Sequence, residues 1–81
     1  TRKDMLTHIQ MGSGLMQMNQ LQPAFQQCSE ALTFAQSFND TESQILIYYK
    51  MGETNRLGNY LDAAVQNFNQ AFQIAENTQD K

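Results

Sequence analysis

The sequence predicts an all-α fold in which four helices form two helix-turn-helix units. Apolar residues recur at three- and four-residue steps, as on one face of a helix, and no stretch alternates with the period of two typical of a strand. A shift of forty residues superposes the chain on itself without a gap. We therefore expect two antiparallel repeats, residues 1–40 and 41–81, stacked as a short right-handed α-solenoid.

The internal repeat rests on identical residues at equivalent positions, with conservative pairs such as Phe25 and Val65 between them. Because the sequence starts and stops near repeat boundaries, we expect it to be a piece of a longer array. The identical pairs that define the shift are Thr1 and Thr41, Leu6 and Leu46, Met11-Gly12 and Met51-Gly52, Asn19 and Asn59, Leu21 and Leu61, Ala24 and Ala64, Gln26 and Gln66, Ala31 and Ala71, Ala35 and Ala75, and Asp40 and Asp80.

Local signals place the helix ends. The first pattern breaks at "NQLQP", and Pro23 then falls in the first turn of the next helix, where its missing N–H is tolerated. Asp40 or Thr41 is a plausible N-cap for the third helix, while Gly58 can end that helix and Asn59 can cap the fourth. These signals predict helices near residues 2–18, 21–37, 41–57 and 60–77.

Composition and charge narrow the classes of function. The net charge of −3, the isoelectric point of about 4.7 and the scattered Lys and Arg residues argue against a nucleic-acid partner. The longest apolar run, residues 45–49, is far shorter than the roughly 20 residues of a membrane span. The chain opens without the apolar stretch of a signal peptide. A single cysteine, Cys28, excludes an internal disulfide and fits a reducing compartment, so we expect a cytoplasmic protein outside the membrane.

A repeated helix pair with a small residue late in the first helix and alanines in the second resembles the tetratricopeptide repeat. The match covers the whole chain, but the period is forty residues instead of the usual 34 or so. This spacing looks like the longer-repeat branch seen in bacterial regulators, kinesin light chains and cell-polarity adaptors, and we expect the extra residues at 34–43 and 74–81, between one unit and the next. The structural repeat positions are Gly12, Ala24 and Ala31 with Gly52, Ala64 and Ala71, the bulky His8 and Tyr48, and Cys28 and Phe68 at the family's aromatic position.

The segment "MGSGLM", residues 11–16, reads as part of a helix and not as a phosphate-binding loop. No strand precedes it, no third glycine follows at the required spacing, and no Gly-Lys-Ser occurs. Glycine inside a helix costs about 1 kcal/mol relative to alanine. We expect Gly12 to offset this cost by letting the second helix approach closely at Ala24 and Cys28, whereas Gly14 has no glycine counterpart in the second unit.

The residues capable of catalysis or metal binding do not form a site in the sequence. His8 and Cys28 are the one possible pair of base and nucleophile, and we expect both to serve core packing. One Cys and one His cannot make a four-ligand zinc site unless another chain contributes, and the carboxylates are dispersed. We therefore predict no enzyme activity, metal or cofactor.

Glu53 and Arg56 are spaced to pair on a helix. Met5, Met11 and Met51 fall on core positions, whereas the pattern does not decide between core and binding surface for Met16 and Met18.

The resemblance implies that the first helices line a concave groove for a protein or peptide. Tyr49 and Arg56 are the favoured anchors, because Tyr and Arg dominate binding hot spots. The alternative is that Tyr49 packs in the core while Lys50 and Arg56 are merely solvated. The two-carboxylate clamp of chaperone-binding members is missing. The groove candidates are Leu6, Ile9, Gln10, Ser13, Met16 and Gln17, and in the second unit Leu46, Tyr49, Lys50, Glu53, Arg56 and Leu57.

These patterns predict a protein- or peptide-binding scaffold or adaptor module within a larger protein. The alternative is a regulatory sensor segment that binds a peptide or small signal and controls an attached domain. Phe72 and Ile74 near the end, and Leu6 and Ile9 near the start, lack a neighbouring unit to cover them. We therefore also expect self-association through the uncapped ends.

Overall fold

The computed structural model describes residues 2–79, without the side chains of Arg2 and Gln79, and these residues form four α-helices. They are α1 (Arg2–Gln17), α2 (Leu21–Ser37), α3 (Thr41–Leu57) and α4 (Leu61–Gln79). The all-α prediction is confirmed, and every predicted helix end lies within two residues of the observed one. Within the described residues there is no strand, and no helix is long and apolar enough to cross a membrane.

The three connections between helices share one backbone conformation. Each has three residues with a left-handed asparagine in the middle: Asn19 (φ 64°), Asn39 (φ 53°) and Asn59 (φ 67°). The amide after each asparagine donates to the carbonyl five residues earlier, at 2.8–2.9 Å. This is the Schellman arrangement that closes a helix, and asparagine tolerates the left-handed region better than most residues.

Two expectations about the connections are wrong. Asn59 does not cap the start of α4: it follows the C-cap Gly58, and the carbonyl of Tyr60 accepts the first hydrogen bond of α4 from Ala64. The extra residues of the forty-residue period do not lengthen the link between units either. Residues 38–40, which join α2 to α3, make as short a turn as the other two, so the extra length lies in the helices.

The N-terminus of α3 is closed by a side chain. Asp40 Oδ1 accepts from the backbone N–H of Ser43 at 3.2 Å, and Asp40 Oδ2 accepts from the Ser43 hydroxyl at 2.8 Å. Of the two N-cap candidates, Asp40 therefore takes the role, and its charge also suits the positive end of the helix dipole.

The helices pack as a thin, sequential layer. Helix α2 lies between α1 and α3, whereas α4 packs on α3 and not on α2. The Cα atoms span 38 × 30 × 14 Å, and the shortest of these dimensions is little more than the diameter of one helix. Such a layer leaves a gap between α2 and α4 above α3, and it leaves one long face of α4 without a neighbouring helix among the described residues.

The core forms where α1, α2 and α3 meet. Met5 and Met51 are buried as predicted, but Met11 is 47% exposed, so its core assignment is wrong. The alanines of α2 face inward and let the flanking helices approach closely. Phe25, Leu32, Phe34 and Tyr48 pack at the margin of the core. The buried cluster consists of Met5, Ile9, Cys28, Ala31, Ala35, Ile47 and Met51.

The glycines at equivalent repeat positions allow the close approach that the sequence predicts. A Cβ atom on Gly12 would lie 3.0 Å from Cys28 Sγ and 3.2 Å from the carbonyl oxygen of Ala24. A Cβ atom on Gly52 would lie 2.6 Å from the ring of Phe68, the residue equivalent to Cys28. Gly14, by contrast, has no atom within 4 Å of such a Cβ. Close packing of helices is therefore the reason for glycine at positions 12 and 52, not at position 14.

This contrast predicts opposite effects of two identical substitutions. Gly14→Ala should raise the free energy of unfolding by about 1 kcal/mol, because it improves helix propensity without a clash. Gly52→Ala should lower it by roughly 1–3 kcal/mol, because the ring of Phe68 must move. Urea denaturation followed by circular dichroism measures both, and a shift in the same direction for the two variants would contradict this account of the glycines.

Candidate peptide-binding surfaces

The groove candidates on α1 do not form a continuous exposed surface. Leu6, Gln10 and Gln17 are exposed, and Ser13 and Met16 are half-buried. Ile9 is 6% exposed and belongs to the core, so it is not accessible to a ligand and its assignment to the groove is wrong. The residue faces inward because α2 packs on that side of α1.

The candidates on α3 are more accessible. Tyr49 is 51% exposed and Arg56 is exposed, while Lys50 and Glu53 are half-buried. The alternative that Tyr49 packs in the core is therefore wrong; its ring instead lies against Phe68, with centroids 5.5 Å apart and planes tilted by 53°. Leu46 and Leu57 are also exposed.

Tyr49, Glu53 and Arg56 form one polar cluster along a face of α3. Arg56 Nη2 donates to Glu53 Oε2 at 2.6 Å, which confirms the predicted pair. Hydrogen bonds from the Arg56 guanidinium, and to a smaller extent from the Tyr49 hydroxyl, hold the pKa of the Glu53 carboxyl below its ordinary value. The same carboxylate raises the pKa of Tyr49. Because Arg56 already has a carboxylate partner, an acidic ligand would have to compete with Glu53 for it.

The cluster predicts a change in titration that can be measured directly. Arg56→Ala should raise the pKa of Glu53 toward its ordinary value of 4.5, because the largest stabilising contact of the carboxylate is lost. Tyr49→Phe, which removes the smaller contact, should raise the pKa less. Carboxyl NMR across an acid titration reports both values.

The lowered pKa of Glu53 makes the stability of the fold depend on pH. The folded chain binds the Glu53 proton more weakly than the unfolded chain does, so these contacts stabilise the fold above about pH 4.5. Their contribution is lost as the pH falls through the folded-state pKa. An unchanged Glu53 titration in Arg56→Ala would contradict the pairing.

His8 and Cys28 have separate surroundings. His8 Nδ1 lies 2.6 Å from Gln27 Oε1 and 3.3 Å from Glu30 Oε2, and the ring stacks on Phe34 at 5.8 Å. The Cys28 thiol lies against Gly12, and burial raises its pKa. A protonated, buried thiol is a packing group and not a nucleophile. His8 itself is half-buried at the edge of the α1–α2 contact.

An open cleft lies on a surface that the sequence did not predict. It has a volume of about 650 Å³ and lies where the start of α2, the end of α3 and the start of α4 meet. We call it the α2–α4 cleft. It exists because α2 and α4 both pack on α3 but not on each other. Its lining residues are Leu21, Gln22, Phe25, Gln26, Ser29, Thr54, Asn55, Tyr60 and Ala63.

The α2–α4 cleft combines aromatic rings with uncharged polar groups. Phe25 and Tyr60 supply the rings, and no lining residue carries a formal charge. On the floor, the Thr54 hydroxyl donates to the Lys50 carbonyl at 2.9 Å, and Asn55 Nδ2 donates to Asn67 Oδ1 at 2.6 Å, which holds both side chains in place. Amide and hydroxyl groups beside apolar rings match the backbone and side chains of an uncharged peptide.

The described part of the chain shows no group of three or more His, Cys, Asp and Glu side chains placed to hold a metal ion. Comparison of the chain with models of known protein families finds no match, and comparisons with curated proteins and with solved structures find no significant match. The resemblance to tetratricopeptide repeats therefore rests on the repeat pattern of the sequence.

Proposed function

We propose that this chain is a tetratricopeptide-like module that binds a protein or peptide segment and acts as a scaffold or adaptor, without catalysis of its own, within a larger cytoplasmic protein. The observation that carries this proposal is the α2–α4 cleft. It is open, uncharged, and lined by two aromatic rings and several amide groups. A short peptide with an apolar side chain and few charges fits this chemistry better than a phosphate or a highly charged ligand does.

The surface on α1 and α3 fits a peptide less well than the cleft. Ile9 is buried, and α2 separates most of α1 from α3. The two helices approach each other near the end of α1, where the Thr54 hydroxyl lies 3.5 Å from Met16 Sδ. Among the charged groups of α3, Glu53 and Arg56 are already paired with each other. We therefore propose that the peptide binds in the α2–α4 cleft and not on the surface of α1 and α3.

Two exposed tyrosines provide a matched test of the two surfaces. Tyr60 lines the α2–α4 cleft, and Tyr49 lies on the α3 surface. Peptides are selected from a phage-displayed random library on the wild-type chain, and their affinities are measured by fluorescence polarisation. Tyr60→Ala should weaken binding at least about tenfold, as expected for a central aromatic contact, while Tyr49→Ala should leave it unchanged.

The reverse pattern would move the peptide to the α1 and α3 surface and contradict the cleft. Failure to select any peptide would contradict the peptide-binding proposal itself. Because both tyrosines are exposed, neither substitution should unfold the chain, and circular dichroism verifies that both variants remain helical.

A further inference from the structure

An apolar stripe runs along the face of α4 that no helix of the described chain covers. Leu61 and Val65 are each 56% exposed and Phe72 is 63% exposed, and their spacing places all three on one side of the helix. Phe68, between them, is half-buried. Three large apolar side chains in a row on one helix face are typical of a contact surface.

The internal repeat shows what covers the equivalent face of α2. Leu21, Phe25 and Leu32 stand forty residues before Leu61, Val65 and Phe72, and all three are half-buried because α3 packs there. The same molecule therefore contains one copy of this surface that α3 partly covers and one copy that no described helix covers. The helix that covers the first copy, α3, is the repeat equivalent of α1.

Two contacts define how α3 lies on α2. Gln44 Nε2 donates to the Ala35 carbonyl at 3.3 Å, and a Cβ atom on Gly58 would lie 3.2 Å from Leu21 Cδ1. In both pairs the residue numbers total 79, which sets the register of the antiparallel helices. Moving forward forty residues from α2 gives α4, and moving back forty residues from α3 gives α1. If α1 lay on α4 in the same register, the numbers of facing residues would therefore again total 79.

The outer face of α1 is suited to that position. Met11 and Met18 are exposed, and a Cβ atom on Gly14 between them would meet only open space. In the transferred register Met11 faces Phe68, Met18 faces Leu61, and Gly14 faces Val65. Methionine adapts to irregular apolar surfaces, and a glycine opposite Val65 lets the helices come close. This also gives Gly14 a role that the single chain lacks.

One pair of opposite charges fits the same arrangement. The transferred register places Lys3, near the start of α1, opposite Glu76, near the end of α4, and both are exposed. The N-terminus of α1, with its positive end of the helix dipole, then lies beside the negative C-terminal end of α4. Between two α4 helices, by contrast, the acidic side chains would face a second acidic helix, since residues 61–79 contain Asp62 and Glu76 and no Lys or Arg.

We propose that α4 binds α1 of a second copy of this chain, head to tail, in the register of the α2–α3 contact. The interface joins two different faces, so each copy keeps one face open and the assembly grows by stacking. This goes beyond the proposed peptide binding, since Leu61, Val65 and Phe72 do not line the α2–α4 cleft.

Two variants block one face each. Val65→Lys places a charge on the α4 stripe, and Gly14→Lys places a long side chain on the outer face of α1, where a single chain has room for it. Gln66→Lys is the matched control, since it adds the same charge to exposed α4 surface away from the stripe. Sedimentation velocity from about 10 µM to about 1 mM covers the range of weak association.

The wild type and Gln66→Lys should show a mass that rises with concentration beyond a dimer. Each blocking variant alone should weaken association at least about tenfold. Mixed together, Val65→Lys and Gly14→Lys should form 1:1 dimers and nothing larger, because one variant keeps its α1 face and the other keeps its α4 face. Circular dichroism establishes that every variant is folded.

The charge pair gives an independent check. Lys3→Glu and Glu76→Lys should each weaken association, and the double reversal should restore it. A wild type that is monomeric throughout the concentration range would overturn the proposal and leave α4 to a different occupant. Self-association retained by Gly14→Lys would also overturn it, since that result places α4 against α4. The peptide-binding result for Tyr60→Ala does not bear on this proposal, because Tyr60 lies in the α2–α4 cleft and not on the α4 stripe.

Discussion

The fold depends on the close approach of paired helices at Gly12 and Gly52. Each of these glycines removes the side chain that would hold its partner helix away, and each faces the residue at the same repeat position, Cys28 or Phe68. The two contacts differ greatly in the size of that partner, a thiol in one unit and an aromatic ring in the other. The glycine is thus the constant part of the contact, and the partner residue fills whatever space remains.

The sequence alone predicts most of this architecture, because the signals are repeated. Two copies of a pattern in register indicate that Gly12 and Gly52 have one role, which neither copy would establish by itself. The turns are harder to predict: Gly58 does end α3 as its C-cap, yet the left-handed residue in all three turns is asparagine. A search for a period of twenty residues would have found Asn19, Asn39 and Asn59.

The candidate site was predicted less well, for a physical reason. Helical spacing tells which residues share a face, but it does not tell which faces the neighbouring helices leave open. Met11 and Ile9 show this: both follow the apolar pattern of α1, yet one is exposed and the other is in the core. The α2–α4 cleft depends on α2 and α4 failing to meet, and no residue pattern within either helix records that gap.

The thin layer connects the two proposed surfaces. If α4 packed on α2 as well as on α3, the cleft at Phe25 and Tyr60 would close, and part of the α4 surface would be covered. Because the helices pack in sequence, α2 and α3 each have neighbouring helices on two sides, whereas α1 and α4 each have one face that no other described helix covers. The cleft therefore depends on one unit and its neighbour, whereas the proposed association depends on the uncovered faces of α1 and α4. Stacking of copies would cover these faces and, by placing new helices beside α4, would form a further cleft at each contact between copies. A peptide bound in such a cleft would stabilise the association.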